Sequence, residues 1–118
     1  MPISNALASV AVKDLKSALD WYTRLLGRPA DSRPMPEVAE WRFARGGWLQ
    51  VYELAERAGS GSVTLTVSDM EELLPQLQAL GIDTTQRTFG EKVNTLMIAD
   101  PDGNHIAFAE AIDPSIAN

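Results

Sequence analysis

Val10-Ala11-Val12-Lys13-Asp14-Leu15, near the start of the chain, returns about 55 residues later as Leu65-Thr66-Val67-Ser68-Asp69-Met70. In both copies an alternating stretch, Leu7–Val12 and Ser62–Val67, puts aliphatic side chains on one face and small or polar ones on the other. That is the period-two pattern of a half-buried strand. An aspartate then stands where its carboxylate can accept from the free N–H groups of a first helical turn. Leu15, Leu19, Tyr22 and Leu26 recur at helical spacing in the first copy, and Met70, Leu73, Leu74, Leu77 and Leu80 in the second. Gly27 and Gly81 follow where each helix should stop. Pro75 removes one N–H from the second helix, so a kink or a late start is expected there.

The repeat continues beyond the helices. Arg45-Gly46-Gly47-Trp48-Leu49-Gln50 lies on Pro101-Asp102-Gly103-Asn104-His105-Ile106 with a one-residue slip in the turn, and weaker strands are expected over residues 29–33 and 82–89. Each unit therefore reads as strand, helix and three strands. The expected fold is α+β: two tandem βαβββ units, about residues 5–57 and 58–112, in a single domain with a short tail at 113–118. A curved, cleft-enclosing mixed sheet would carry the helices on its outer face. Gly59-Ser60-Gly61 reads as a flexible linker between the units.

Asp100-Pro101-Asp102-Gly103-Asn104 sets the register, with proline at the first corner of a type I turn and glycine where φ must be positive. Centring on it puts Ala99 opposite His105 and Met97 opposite Ala107, and sends Leu96, Ile98, Ile106 and Phe108 to the other face. Carried back through the repeat, the same register puts Arg42 opposite Trp48 and Glu40 opposite Gln50, and turns Trp41, Phe43, Leu49 and Val51 towards the helices. Ser9, Ala11, Tyr52, Ser62, Thr64 and Thr66 join the remaining face. On a strongly twisted sheet such a face forms a concave groove.

With 118 residues, 45% of them hydrophobic, the chain is long enough to bury roughly two-thirds of its unfolded surface without staples. It has no cysteine, which removes disulfide frameworks, zinc-thiolate sites, iron–sulfur clusters and thiol nucleophiles. Ten Lys+Arg against 16 Asp+Glu give a net charge of −6, which argues against nucleic acid and anionic membranes as partners. No run approaches the roughly 20 apolar residues of a membrane span, and the first residues lack a signal-like pattern, so a cytoplasmic protein is expected.

The two units, the segment Val12-Lys13-Asp14-Leu15 with Trp21-Tyr22 and Leu25-Leu26-Gly27 behind it, and the Asp100 to Asn104 turn resemble the vicinal oxygen chelate superfamily. That family contains glyoxalase I, extradiol dioxygenases, fosfomycin-resistance transferases and bleomycin-resistance proteins, and the resemblance spans about residues 5–112. It implies a divalent metal held from four inward strand positions, typically by His and Glu. Those positions fall here on Leu7, Gln50, Ser62 and Ala107, a set with too few donors for a metal centre. The resemblance therefore points to the metal-free binding branch, similar to the bleomycin-resistance proteins, with no cofactor.

The candidate ligand-binding residues are Trp48, Tyr52, Arg42, Glu40, Gln50, His105 and Met97. Large aromatic faces beside a few charges suit a flat, amphipathic organic molecule. A metal-free small-molecule binding protein, acting as a homodimer, swapped or unswapped, is the leading expectation, with sequestration of an antibiotic as one role open to it. A cofactor-free isomerase or lyase using Glu40 or His105 as base is the alternative, and a subunit that only assembles with partners is a third reading. Tyr22, Trp41 and Phe43 read as core, Trp21 as edging onto the groove, and Glu53 and Glu110 as a solvated rim.

Overall fold

The computed structural model describes residues 2–112; the short tail expected at 113–118 lies outside the described residues. The first unit runs β1 (Leu7–Val12), α1 (Leu15–Leu26), β2 (Ser32–Met35), β3 (Val38–Arg42) and β4 (Trp48–Glu53). A 3-10 turn at Ala55–Arg57 leads to the second unit, β5 (Ser62–Val67), α2 (Met70–Ala79), β6 (Arg87–Phe89), β7 (Val93–Ala99) and β8 (His105–Ala111). The strands form two four-stranded mixed sheets, ordered β1-β4-β3-β2 and β5-β8-β7-β6, with β1 and β5 packed side by side at the seam. The expected α+β fold of two βαβββ units is present, and its sheet is divided at that seam into two ladders.

Both aspartates cap their helices as their positions imply. Asp14 accepts from Ser17 N, and Asp69 accepts from Glu71 N and Glu72 N. α2 starts at Met70, so Pro75 does not delay it. Glu53 is exposed, as expected of a rim, while Glu110 is half-buried, and both bond a helix start: Glu53 Oε1 accepts from Leu15 N at 2.9 Å and Glu110 Oε2 from Met70 N at 2.8 Å. Each last strand thus supplies a carboxylate to the positive end of its own unit's helix. The weak strands start later than expected, at Ser32 and Arg87. Leu80 caps α2 and is exposed instead of joining its buried stripe.

One apolar cluster runs through both units. Val10, Val12, Trp41, Leu49 and Val51 meet Tyr22 and Leu15 of α1, while Leu96, Ile106 and Phe108 meet Leu74 and Leu77 of α2. Each such side chain contributes about 1.5–3 kcal/mol by leaving water. The units are also joined by polar bonds. Asn104, fully buried, donates to Ala11 O and to Asp100 Oδ2, and accepts from Gly61 N, each at 2.8 Å. The Gly59 to Gly61 segment is consequently no flexible linker. A Cβ on Gly61 would sit 2.9 Å from Asn104 Oδ1, and one on Gly59, whose φ is +88°, would sit 2.4 Å from Asp102 O. These glycines let the crossing chain press against the second hairpin.

Candidate functional site

The register places the expected residues as the turn arithmetic requires. Arg42 faces Trp48 and Glu40 faces Gln50 in the first sheet, and Ala99 faces His105 and Met97 faces Ala107 in the second. The two hairpins superimpose in their bonding: Phe43 N donates to Gly47 O as Asp100 N donates to Asn104 O. Trp48 is therefore the counterpart of His105, Arg42 of Ala99, Glu40 of Met97, Gln50 of Ala107 and Tyr52 of Ala109. The first sheet carries large and charged side chains at all five places, and the second has alanine at three of them, with His105 and Met97 at the other two.

On the first sheet a polar ladder crosses three strands. Ser9 Oγ donates to Gln50 Oε1 at 3.1 Å, and Gln50 Nε2 donates to Glu40 Oε2 at 3.0 Å. These bonds fix which way the Gln50 amide points and leave the second Glu40 oxygen for another donor. Tyr52 closes one end of this face, flanked across the strands by Ala11 and Val38, which are 4% and 6% exposed. Ala11, expected in the open groove, is thus part of its floor.

At the other end Trp48, half-buried, stands between Arg42 and Leu7, and Leu7 is 44% exposed. Beneath Trp48 the seam between β1 and β5 opens into a cavity of about 340 Å³, whose walls include Phe43, Arg45, Val63, Thr64 and Leu65. Phe43, expected as core, only partly packs there and lines this cavity. The cavity exists because Gly47 stands where the second unit has Asn104, so the first hairpin has no side chain to reach across the seam. Sequence reasoning missed Leu7, Phe43 and Arg45 as site residues. Leu7 meets Trp48 through the parallel β1–β4 pairing, whose register no turn fixes.

His105 and Met97 lie apart from this group, on the second sheet, and line a separate cavity with Trp21. His105 is exposed, opposite Ala99 and Ser62. At the four positions where the resemblance expects metal ligands, Leu7 and Ala107 have no donor atom, and the Gln50 oxygen already accepts from Ser9. No group of three or more His, Cys, Asp or Glu side chains among the described residues could hold a metal, so the residues do not fit the metal of the family's enzymes. No helix among the described residues is long and apolar enough to cross a membrane.

The sequence matches the model of the glyoxalase/bleomycin resistance protein/dioxygenase superfamily over residues 5–108. A glyoxalase/bleomycin resistance protein from Catenulispora acidiphila DSM 44928 is similar in sequence and fold, with 34% identity and a TM-score of 0.83 over 92% of this chain and 99% of that one. TnmS3, an antibiotic binding protein from Streptomyces sp. CB03234, shares the fold at 24% identity, with a TM-score of 0.81 over 94% of this chain and 98% of its own. TioX from Micromonospora sp. ML1 shares it at 21% identity, with a TM-score of 0.76 over 93% of this chain and 100% of its own. None of the curated proteins compared matches the sequence.

Proposed function

The chain belongs to the glyoxalase/bleomycin resistance protein/dioxygenase superfamily, and from that premise we propose that it is a metal-independent small-molecule binding protein whose ligand lies against the first sheet at Trp48. The observation that carries this reading is the pairing of Leu7 with Trp48. Where the superfamily's enzymes need a metal donor, this chain presents an exposed aliphatic side chain beside an indole, and that indole lines a largely apolar cavity. That trades a metal-binding floor for a surface suited to a flat organic molecule.

The ligand is amphipathic and partly aromatic. It packs on Trp48 and Leu7, and its polar edge meets Arg42, Gln50 and the free Glu40 oxygen. A net charge of −6 favours a cationic ligand. The fold's use by an antibiotic binding protein supports sequestration of an antibiotic as the biological role. Protection by sequestration follows mass action and involves no chemical change. The protein acts in the cytoplasm as a homodimer.

A thermal-shift screen against divalent metals, antibiotics and planar aromatic compounds tests this, with mass spectrometry of each stabilising compound after incubation. The expected result is stabilisation by an organic compound recovered unchanged, and a dimer in light scattering. Stabilisation by metal alone would overturn the reading. A chemically altered compound would replace it with the cofactor-free isomerase or lyase, in which Glu40 or His105 serves as base.

A further inference from the structure

The two units close the edge of their third strand differently. Arg42 and Ala99 are counterparts, each facing the first residue of the next strand. Because Asp100 N donates to Asn104 O and His105 N donates to Gly61 O, Ala99 lies at a position where β7 and β8 do not bond. Its main-chain N–H and C=O both point to the opposite edge, towards β6. β6 does not reach them: its pairing stops at Arg87 opposite Leu96, extended only by the bond from Met97 N to Gln86 O at 2.9 Å.

In the first unit this edge is sealed from within. Asp31 Oδ2 accepts from Arg42 N at 2.7 Å, and the Arg28 guanidinium donates to Arg42 O and to Asp31. Counting from Gly27 and Gly81, the second unit has Ile82 and Thr85 where the first has Arg28 and Asp31. Neither replaces the seal. The Thr85 main-chain N–H turns instead to Asp83 Oδ1. A cavity of about 350 Å³ occupies the space, lined by Ala99 with Trp21, Ile82, Met97, Pro101 and His105.

We propose that this cavity is a second binding site, separate from the first-sheet groove, for a small planar amide, lactam or imide. The ligand's carbonyl accepts from Ala99 N–H and its N–H donates to Ala99 C=O, the roles that Asp31 and Arg28 play at Arg42. Trp21, Ile82, Met97 and Pro101 give the apolar walls, and the volume suits a one- or two-ring compound. A backbone donor and acceptor side by side on a free edge select a ligand with the complementary pair, as edge strands do generally.

The test is an NMR titration of the 15N-labelled full chain with 2-quinolinone, with N-methyl-2-quinolinone as the control that lacks the donor. The expected result is movement of the Ala99 amide and Trp21 indole signals, and affinity for the methylated compound lower by about tenfold. The double variant Ile82→Arg with Thr85→Asp, which transplants the first unit's seal, should lose binding by a similar factor. If that variant does not fold, Trp21→Ala serves in its place. Equal affinity for the two lactams, no shift up to saturation, shifts confined to Leu7, Trp48 and Thr64, or variants that bind as well as the parent would each overturn the proposal.

Discussion

The Tyr22 hydroxyl donates to Asp100 Oδ2 at 2.7 Å, tying the first helix to the turn of the second unit across 78 residues of sequence. The bond is buried, and Asp100 also accepts from Asn104 Nδ2 and from the Asp102 and Asn104 main-chain N–H groups. The turn that defines the second hairpin therefore also holds the two units together. Its hydrogen bonds are stronger for being out of water and for involving a carboxylate.

Tyr22→Phe should cost about 1.5–3 kcal/mol in urea denaturation, the range for a hydrogen bond to a charged group. Burial first, and then the bond to Asp100, push the Tyr22 pKa well above its ordinary 10.0. The unfolded chain releases this proton at its ordinary value while the folded chain keeps it. Stability from this group is thus fully present below pH 10 and is lost as pH rises further. Wild type should lose stability between pH 10 and 11 more steeply than Tyr22→Phe, as read from melting temperatures.

Asn104→Ala should destabilise by roughly 3–5 kcal/mol, because it takes the partner from Gly61 N–H and from Ala11 C=O and leaves Asp100 Oδ2 with only the Tyr22 hydroxyl. The denaturation midpoint measures it. A loss under about 1 kcal/mol would mean that the seam is not held by this side chain.

Removing the helix-capping carboxylates gives a smaller and matched effect. Glu53→Ala and Glu110→Ala each release one first-turn N–H, at Leu15 and Met70, and each should cost about 0.5–2 kcal/mol. Far-UV circular dichroism during thermal melts checks this, with both variants expected to keep their helices at low temperature.

Acid should weaken the first unit. The Arg42 main-chain N–H and then Arg28 hold the Asp31 carboxyl below its ordinary 3.8, and the Ser17 hydroxyl does the same for Asp14. For such groups the stabilisation is present above the ordinary value and disappears as pH falls through the lower folded value. Melting temperatures between pH 6 and pH 3 should fall more steeply below pH 4 in wild type than in Asp31→Asn.

Most of the fold is legible because two local signals agree. The repeat gives the order of elements, and one well-formed turn sets a register that the hydrophobic alternation of Leu96, Ile98, Ile106 and Phe108 confirms. Contacts between elements that no turn connects are less legible. The parallel pairing that brings Leu7 to Trp48 and the crossing of Gly61 past Asn104 both depend on how the units pack, which periodicity along one strand does not encode. For the same reason seven candidate residues on one inferred face divide between two sheets. Glu40, Arg42, Trp48, Gln50 and Tyr52 share the first, and Met97 and His105 belong to the second. The bonds of Glu53 and Glu110 to the helix starts are not legible because alternation reports the face of a strand and not the helix end lying above it.

The central claim is that the first sheet binds an organic ligand through Trp48. The most direct measurement is calorimetric titration of wild type and Trp48→Ala with the compound that stabilises the protein most. Saturable, stoichiometric binding is expected, weaker by at least about tenfold in the variant, while removal of the half-buried Trp48 side chain costs only about 1 kcal/mol of stability. Equal affinity in the two proteins would contradict it.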